Sequence, residues 1–163
     1  MEVLILMRHG KAVRPDEAPS DKARGLTERG QRDAKEAGEK LAAAGLKPDR
    51  ILVSTAVRTR ETYSALAKSF SAKPDFVEAL YMADAKHIWD EAERSGGDVV
   101  MVIGHNPGMH DLAADMLAQA HDRSALGKTI SAHMPTAAFA AFSLAGTARH
   151  AAGPRLLTAW ARD

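Results

Sequence analysis

Short apolar runs alternate with stretches of helical periodicity along this chain. Residues 2–7, Glu2-Val3-Leu4-Ile5-Leu6-Met7, form an almost unbroken aliphatic run, the mark of a strand buried on both faces. Residues 50–53 and 98–103 repeat that character, the second around Val99-Val100-Met101-Val102-Ile103. Between these runs the spacing predicts helices. Residues 27–44 carry an apolar stripe of Ala34, Ala37, Leu41 and Ala42, with Thr27 as N-cap and Gly45 as the stop. Residues 57–70 place Tyr63, Leu66, Ala67 and Phe70 at helical spacing, and 85–94 form a third helix that ends at Ser95-Gly96-Gly97. A fourth spans 107–120, with Asn106 as N-cap and Pro107 in the first turn, where a missing N–H costs nothing. A short strand is expected over 76–80, and two closing strands over 137–144 and 155–160. Residues 120–135 lack periodicity and read as a long surface loop, a kind of segment that often carries function. Alternation of helices with wholly apolar strands predicts an α/β fold, a sheet covered by helices on both faces.

Composition narrows the classes. The 163 residues predict a single domain over 1–163, large enough to need no metal or disulfide staple. Lys and Arg total 22 and Asp and Glu 21, so no global field draws the chain to nucleic acid or to an acidic membrane surface. Any cationic site must be local. The absence of cysteine excludes zinc-thiolate sites and thiol nucleophiles and agrees with a reducing cytosol. The first apolar run is too short for a signal peptide and follows Glu2, and no run approaches the roughly 20 residues of a membrane span. A cytoplasmic protein without nucleic-acid or membrane partners is expected.

Ligands of open α/β sheets bind beyond the carboxyl ends of the strands. Here those exits read Arg8-His9-Gly10-Lys11, Ser54-Thr55-Ala56-Val57-Arg58 and Gly104-His105-Asn106-Pro107. They deliver arginines and imidazoles and no carboxylate. Such groups repel one another unless their usual occupant is a dianion, and the planar fork of arginine suits phosphate oxygens. A helix beginning near Asn106 and Pro107 adds positive dipole and free N–H groups. A histidine in that cluster could be structural, a metal ligand or a nucleophile. The metal reading suffers from the missing carboxylate ligand and from the arginines. The nucleophile reading needs a neutral ring with one nitrogen fixed as a donor, and Gly10 can present a carbonyl to His9.

These blocks carry a resemblance. Leu6-Met7-Arg8-His9-Gly10, Arg58 in its Ser-Thr-Ala-Val-Arg-Thr context and His105 in Gly-His-Asn-Pro resemble the core of the histidine phosphatase superfamily, with its phosphoglycerate mutase-like fold. The stretches Asp21-Lys22-Ala23-Arg24-Gly25-Leu26-Thr27-Glu28-Arg29-Gly30, His105-Asn106-Pro107-Gly108 and Met134-Pro135-Thr136-Ala137 resemble the small bacterial phosphohistidine phosphatases of the SixA type. The likeness covers most of the chain. It implies a three-layer sandwich with a mostly parallel sheet. It also implies metal-free catalysis, with no cofactor: His9 attacks phosphorus, Arg8, Arg58 and His105 hold the oxygens, Asn106 joins them in binding phosphate, and water hydrolyses the phosphohistidine.

One departure stands out. Larger relatives place a leaving-group acid near a Leu-x-Glu block, and here Glu78-Ala79-Leu80-Tyr81-Met82 puts Met82 in its place. Glu78 and Asp84 are the candidate acids, each also readable as a surface charge. A weak acid suits a phosphoramidate, because imidazole leaves phosphorus more readily than an alkoxide does. Lys22 and Arg24 are expected to line the mouth or to hold the 13–25 loop. Lys11 is expected to extend the positive rim, and Lys128 and His133 are candidates for substrate contact. His87, His110, His121 and His150 read as surface or structural, and Trp89 and Trp160 as packing. The leading expectation is a phosphatase of protein phosphohistidine, with a phosphorelay or phosphotransfer protein as partner. A phosphatase of small phosphomonoesters and a non-catalytic phospho-ligand module are the alternatives.

Overall fold

A computed structural model of the chain describes residues 1–144 and 153–162. Six strands form one sheet: β1 (Val3–Arg8), β2 (Arg50–Ser54), β3 (Pro74–Val77), β4 (Val99–Gly104), β5 (Phe139–Ser143) and β6 (Arg155–Trp160). Their order across the sheet is β3-β2-β4-β1-β5-β6. The first four in that order run parallel, while β5 is antiparallel to both of its neighbours. Five helices accompany them: α1 (Glu28–Ala43), α2 (Val57–Leu66), α3 (Ala85–Arg94), α4 (Gly108–Gln119) and α5 (Ala125–Ala132).

The strands are apolar throughout because both faces are covered. Leu4 and Leu6 point to one face and pack with Ile88 and Ala92 of α3, Met109 and Leu112 of α4 and Ile130 of α5. Ile5 and Met7 point to the other and pack with Ala34, Ala37 and Leu41 of α1 and Leu66 of α2. These side chains are wholly buried or nearly so, and each large one is worth about 1.5–3 kcal/mol of burial. Helices α1 and α2 approach closely at Gly38, where a Cβ would lie 2.6 Å from the Cβ of Leu66. The result is the expected three-layer sandwich.

The register aligns the strand exits. Arg8 pairs with Gly104 and Val53 with Ile103, so β1, β2 and β4 end side by side. The His9 amide donates to the Gly104 carbonyl at 3.1 Å and carries the ladder one residue further.

Several boundaries differ from the sequence expectation. The expected strand at 76–80 is Pro74–Val77 followed by a 3₁₀ turn over Glu78–Leu80, and α2 gives way to a 3₁₀ turn at Ala67–Ser69. The expected loop at 120–135 contains α5, capped by Ser124, whose hydroxyl accepts the Gly127 amide at 3.0 Å. Helix α4 begins at Gly108 with Pro107 in the cap position, so Asn106 is not its N-cap. The expected closing strand at 137–144 is the shorter β5. His150 lies outside the described residues.

The 13–25 loop has a clamped stem. Ala12 bridges Leu26, the Val13 amide donates to Gly25, and the Thr27 amide donates to the Lys11 carbonyl at 2.8 Å. Below the stem, Gly10 meets Gly30 at the start of α1, where a Cβ on Gly10 would stand 2.6 Å from the Gly30 carbonyl oxygen.

Candidate active site

His9 leaves β1 and is only 8% exposed. Its Nδ1 lies 2.7 Å from the Gly10 carbonyl oxygen. A carbonyl only accepts, so Nδ1 carries the hydrogen and Nε2 keeps its lone pair. The turn is held from three sides. The Gly10 amide donates to Thr62 Oγ1 at 2.9 Å, that hydroxyl donates to the Arg58 carbonyl, and the Ala137 amide donates to the His9 carbonyl. Burial above all pushes the His9 imidazole down to about 3 from an ordinary 6.5, with His105, Arg58 and Arg8 acting in the same direction against the Gly10 hydrogen bond.

His105 leaves β4 beside it, with ring centroids 5.4 Å apart. Its Nε2 lies 2.7 Å from Ser54 Oγ at the end of β2. If the hydroxyl donates, Nδ1 carries a hydrogen for a ligand. Burial first, then Arg58, pushes His105 down to about 4. The Tyr81 ring meets His105 edge-on at 5.5 Å.

Both arginines are anchored by one end. Arg8 Nη1 donates to the Met134 carbonyl at 2.9 Å, and burial, then Arg58, lowers its pKa. Arg58, on the first turn of α2, is 3% exposed. Its Nη1 donates to the Asp21 carbonyl oxygen at 2.8 Å and its Nη2 to Asp21 Oδ2 at 3.1 Å. Four of the atoms buried at this site have no partner among the described residues: the acceptor Asn106 Oδ1 and three nitrogens, Arg8 Nε, Arg58 Nε and His105 Nδ1. Buried polar atoms are rarely left unpaired, and three nitrogens in one cationic cluster are suited to the oxygens of a tetrahedral anion.

The other expected site residues differ in how they are held. Asn106 Nδ2 donates to the same Met134 carbonyl at 3.0 Å, which ties Asn106 to Arg8 and gives the 134–137 block its part in the site. Glu78 accepts from Lys22 Nζ and Thr55 Oγ1, and Lys22 first, then Thr55, lowers its pKa. Asp84 caps α3, accepting the His87 amide at 2.9 Å and the His87 ring at 2.7 Å. Both candidate acids are thus engaged elsewhere. Met82 has φ +53, and its Sδ lies 3.9 Å from Arg58 Nη2. Arg24 holds the loop through the Val13 carbonyl, and Lys22 Nζ stands 5.1 Å above the Tyr81 ring. Lys11, Lys128 and His133 are exposed. Trp89 packs against the core and Trp160 stacks on Phe139.

Sequence reasoning missed Asp21, Ser54, Thr62 and Tyr81. The carboxylate absent from the strand exits arrives from the 13–25 loop. Asp21 Oδ2 accepts from Tyr81 at 2.7 Å as well as from Arg58, and Oδ1 accepts from Arg24 at 3.0 Å. The Tyr81 hydroxyl first, then Arg24 and Arg58, holds this carboxyl well below the usual carboxylate range. Among the described residues, no group of three His, Cys, Asp or Glu side chains is placed to hold a metal ion, and no helix is long and apolar enough to cross a membrane.

Comparison with known proteins gives this geometry a context. The family model of the histidine phosphatase superfamily (branch 1) matches residues 4–125. An uncharacterised protein of Mycobacterium tuberculosis is 34% identical over 142 residues, covering 86% of this chain and 88% of that protein. A solved structure from Agrobacterium tumefaciens, assigned as the phosphohistidine phosphatase SixA, superposes with a TM-score of 0.82 at 26% identity, covering 99% of this chain and 98% of that one. A second protein with that assignment, from Nakamurella multipartitia, gives 0.81 at 29% identity, with 98% and 95% covered.

Proposed function

Because the chain belongs to the histidine phosphatase superfamily, we propose that it is a phosphatase working through a phosphohistidine on His9, with protein phosphohistidine as substrate. The observation that carries this reading is the His9 ring: Nδ1 donates to Gly10, and Nε2 is left as a nucleophile beside three unpartnered cationic or imidazole atoms. With its pKa near 3, the free ring is neutral at physiological pH, as nucleophilic attack requires. Nε2 attacks phosphorus in line. Arg8, Arg58 and His105 hold the equatorial oxygens through the transition state, and Asn106 steadies the Met134 carbonyl that anchors Arg8. Water then releases phosphate from His9.

The substrate reading rests on likeness to the SixA structures and on the engagement of Glu78 and Asp84 away from the floor. A site without a strong acid discriminates by leaving group. Phosphoramidates and aryl phosphates are expected to turn over faster than alkyl phosphates, which need a proton in the transition state. Radioactive phosphate is to be trapped on the protein from phosphohistidine and from p-nitrophenyl phosphate in parallel, before and after exhaustive chelation. Label on His9 from both donors, faster from phosphohistidine and unaffected by chelation, is the expected result. Equal kcat/KM for glycerol phosphate and phosphohistidine transfers the reading to small phosphomonoesters. Binding without label leaves only a phospho-ligand module, and loss of labelling on chelation, restored by one divalent metal, removes the metal-free mechanism.

A further inference from the structure

Asp21 is the one carboxylate, among the described residues, that is paired with an arginine of the pocket floor. Arg58 has two working edges. Its Nη groups face Asp21, while its Nε is buried without a partner. Asp21 therefore stands one guanidinium width from where phosphoryl oxygens would bind. His9 sits at the end of the sheet, so a leaving group in line with its attack departs toward the mouth, and there the Asp21 side chain is 49% exposed. Arg24 from its own loop, Arg58 from α2 and Tyr81 from the turn after β3 supply three hydrogen bonds to the carboxylate. Two carboxylate oxygens offer about four lone-pair positions, so one remains for an incoming donor.

We propose that Asp21 is a specificity-determining residue whose carboxylate accepts a hydrogen bond from the distal ring N–H of a phosphoimidazolium leaving group. This rests on the phosphohistidine reading and gives it a structural basis. In the step, the His9 Nε2 lone pair forms the new P–N bond. The old P–N bond breaks, and its electron pair returns to the departing ring. The distal nitrogen keeps its own proton, so neutral imidazole leaves and the enzyme supplies none. The carboxylate, held ionised by its three donors, stabilises the cationic ring on the way to that transition state. An aryl or alkyl oxygen leaving group develops negative charge in the same place and gains nothing from it.

The test compares Asp21→Asn with wild type on phosphoimidazole and p-nitrophenyl phosphate. Asparagine keeps the backbone carbonyl on Arg58 and a side-chain oxygen for Tyr81, but not the charge. The ratio of the two kcat/KM values is expected to fall about 10- to 100-fold, the worth of one charge-assisted hydrogen bond. Phosphoimidazole methylated on its distal nitrogen repeats the test on the unaltered protein, because the donor is gone. Corrected for spontaneous hydrolysis, its kcat/KM is expected to drop by a similar factor in wild type and to change little further in Asp21→Asn. An unchanged ratio, or equal losses on both substrates, overturns the proposal and leaves Asp21 as a positioning residue for Arg58. A wild type that turns over p-nitrophenyl phosphate but no phosphoimidazole removes the phosphohistidine reading itself, which is a different outcome.

Discussion

At the floor of the pocket, buried atoms of Arg8, Arg58 and His105 lack partners among the described residues, whereas at the rim Asp21, Arg24, Lys22, Glu78 and Tyr81 are tied to one another. The two regions differ in burial as much as in pairing: Arg58 is 3% exposed and the Glu78 side chain 67%. Charges on the floor act through a low effective dielectric, and charges at the rim are screened by water. The unpartnered nitrogens of the floor are suited to a dianion, while the satisfied rim is suited to choosing what that dianion is attached to. Substitutions on the floor should therefore change rate by orders of magnitude, and those at the rim should change selectivity more than rate.

The strongest test is His9→Ala. Turnover is expected to fall by at least about 10⁴-fold with the fold retained, since removing a nucleophile removes the pathway. Near wild-type turnover in a folded variant would end the assignment. Arg8→Ala, Arg58→Ala and His105→Ala are each expected to cost about 10²–10³-fold in kcat, as for the loss of one transition-state donor. An Arg58→Ala protein with unchanged rate and unchanged vanadate affinity would break the division between floor and rim.

Acid titration addresses the floor from the side of stability. His9 and His105 have folded pKa values near 3 and 4, against 6.5 when free. Between those values and 6.5 the unfolded chain binds more protons, so stability rises with pH through that window and is lost as pH falls. Thermal unfolding at pH 7 and pH 4.5 is expected to show a lower Tm in acid, and His105→Gln should flatten the difference. A variant with the same acid loss as wild type would show that His105 is not the group responsible. The smallest effect belongs to the rim: Glu78→Gln should alter kcat on p-nitrophenyl phosphate by less than about threefold, because an exposed pair contributes little. A loss of tenfold or more, with the basic limb of the pH profile shifted, would make Glu78 the missing acid.

The floor was legible in the sequence because its residues come just after apolar strands. A run such as Leu4-Ile5-Leu6-Met7 predicts its own burial, and the residues at its carboxyl end must then lie at the edge of the sheet. The long-range pairs of the rim were not legible: Asp21 meets Arg58 across 37 positions and Tyr81 across 60, whereas Arg24, expected to line the mouth or hold the loop, lies three positions from Asp21 and donates to the Val13 carbonyl. Reading the strand exits alone gave a pocket without a carboxylate. Helix α5 escaped for a different reason. Gly127 and Ile130 are its buried residues, too few for an apolar stripe, and the available signal was the Ser124 cap. Asn106 had the residue type of a cap, but its amide is drawn to the Met134 carbonyl 28 positions away.

The stem that joins Ala12 to Leu26 gives the 13–25 loop the character of an exchangeable cassette. Lys11 and Thr27 are fastened to each other, and Gly10 rests against Gly30 with no room for a side chain, so the two ends of the cassette are fixed by the scaffold and not by its contents. A loop spliced between Val13 and Gly25 leaves the contacts among His9, Gly10 and Thr62 in place, but it must again bring a carbonyl and a carboxylate to Arg58, as Asp21 does. Leaving-group preference can then diverge between copies of this scaffold by replacing one short segment, and the phosphoryl chemistry is inherited wherever the new segment anchors Arg58 again.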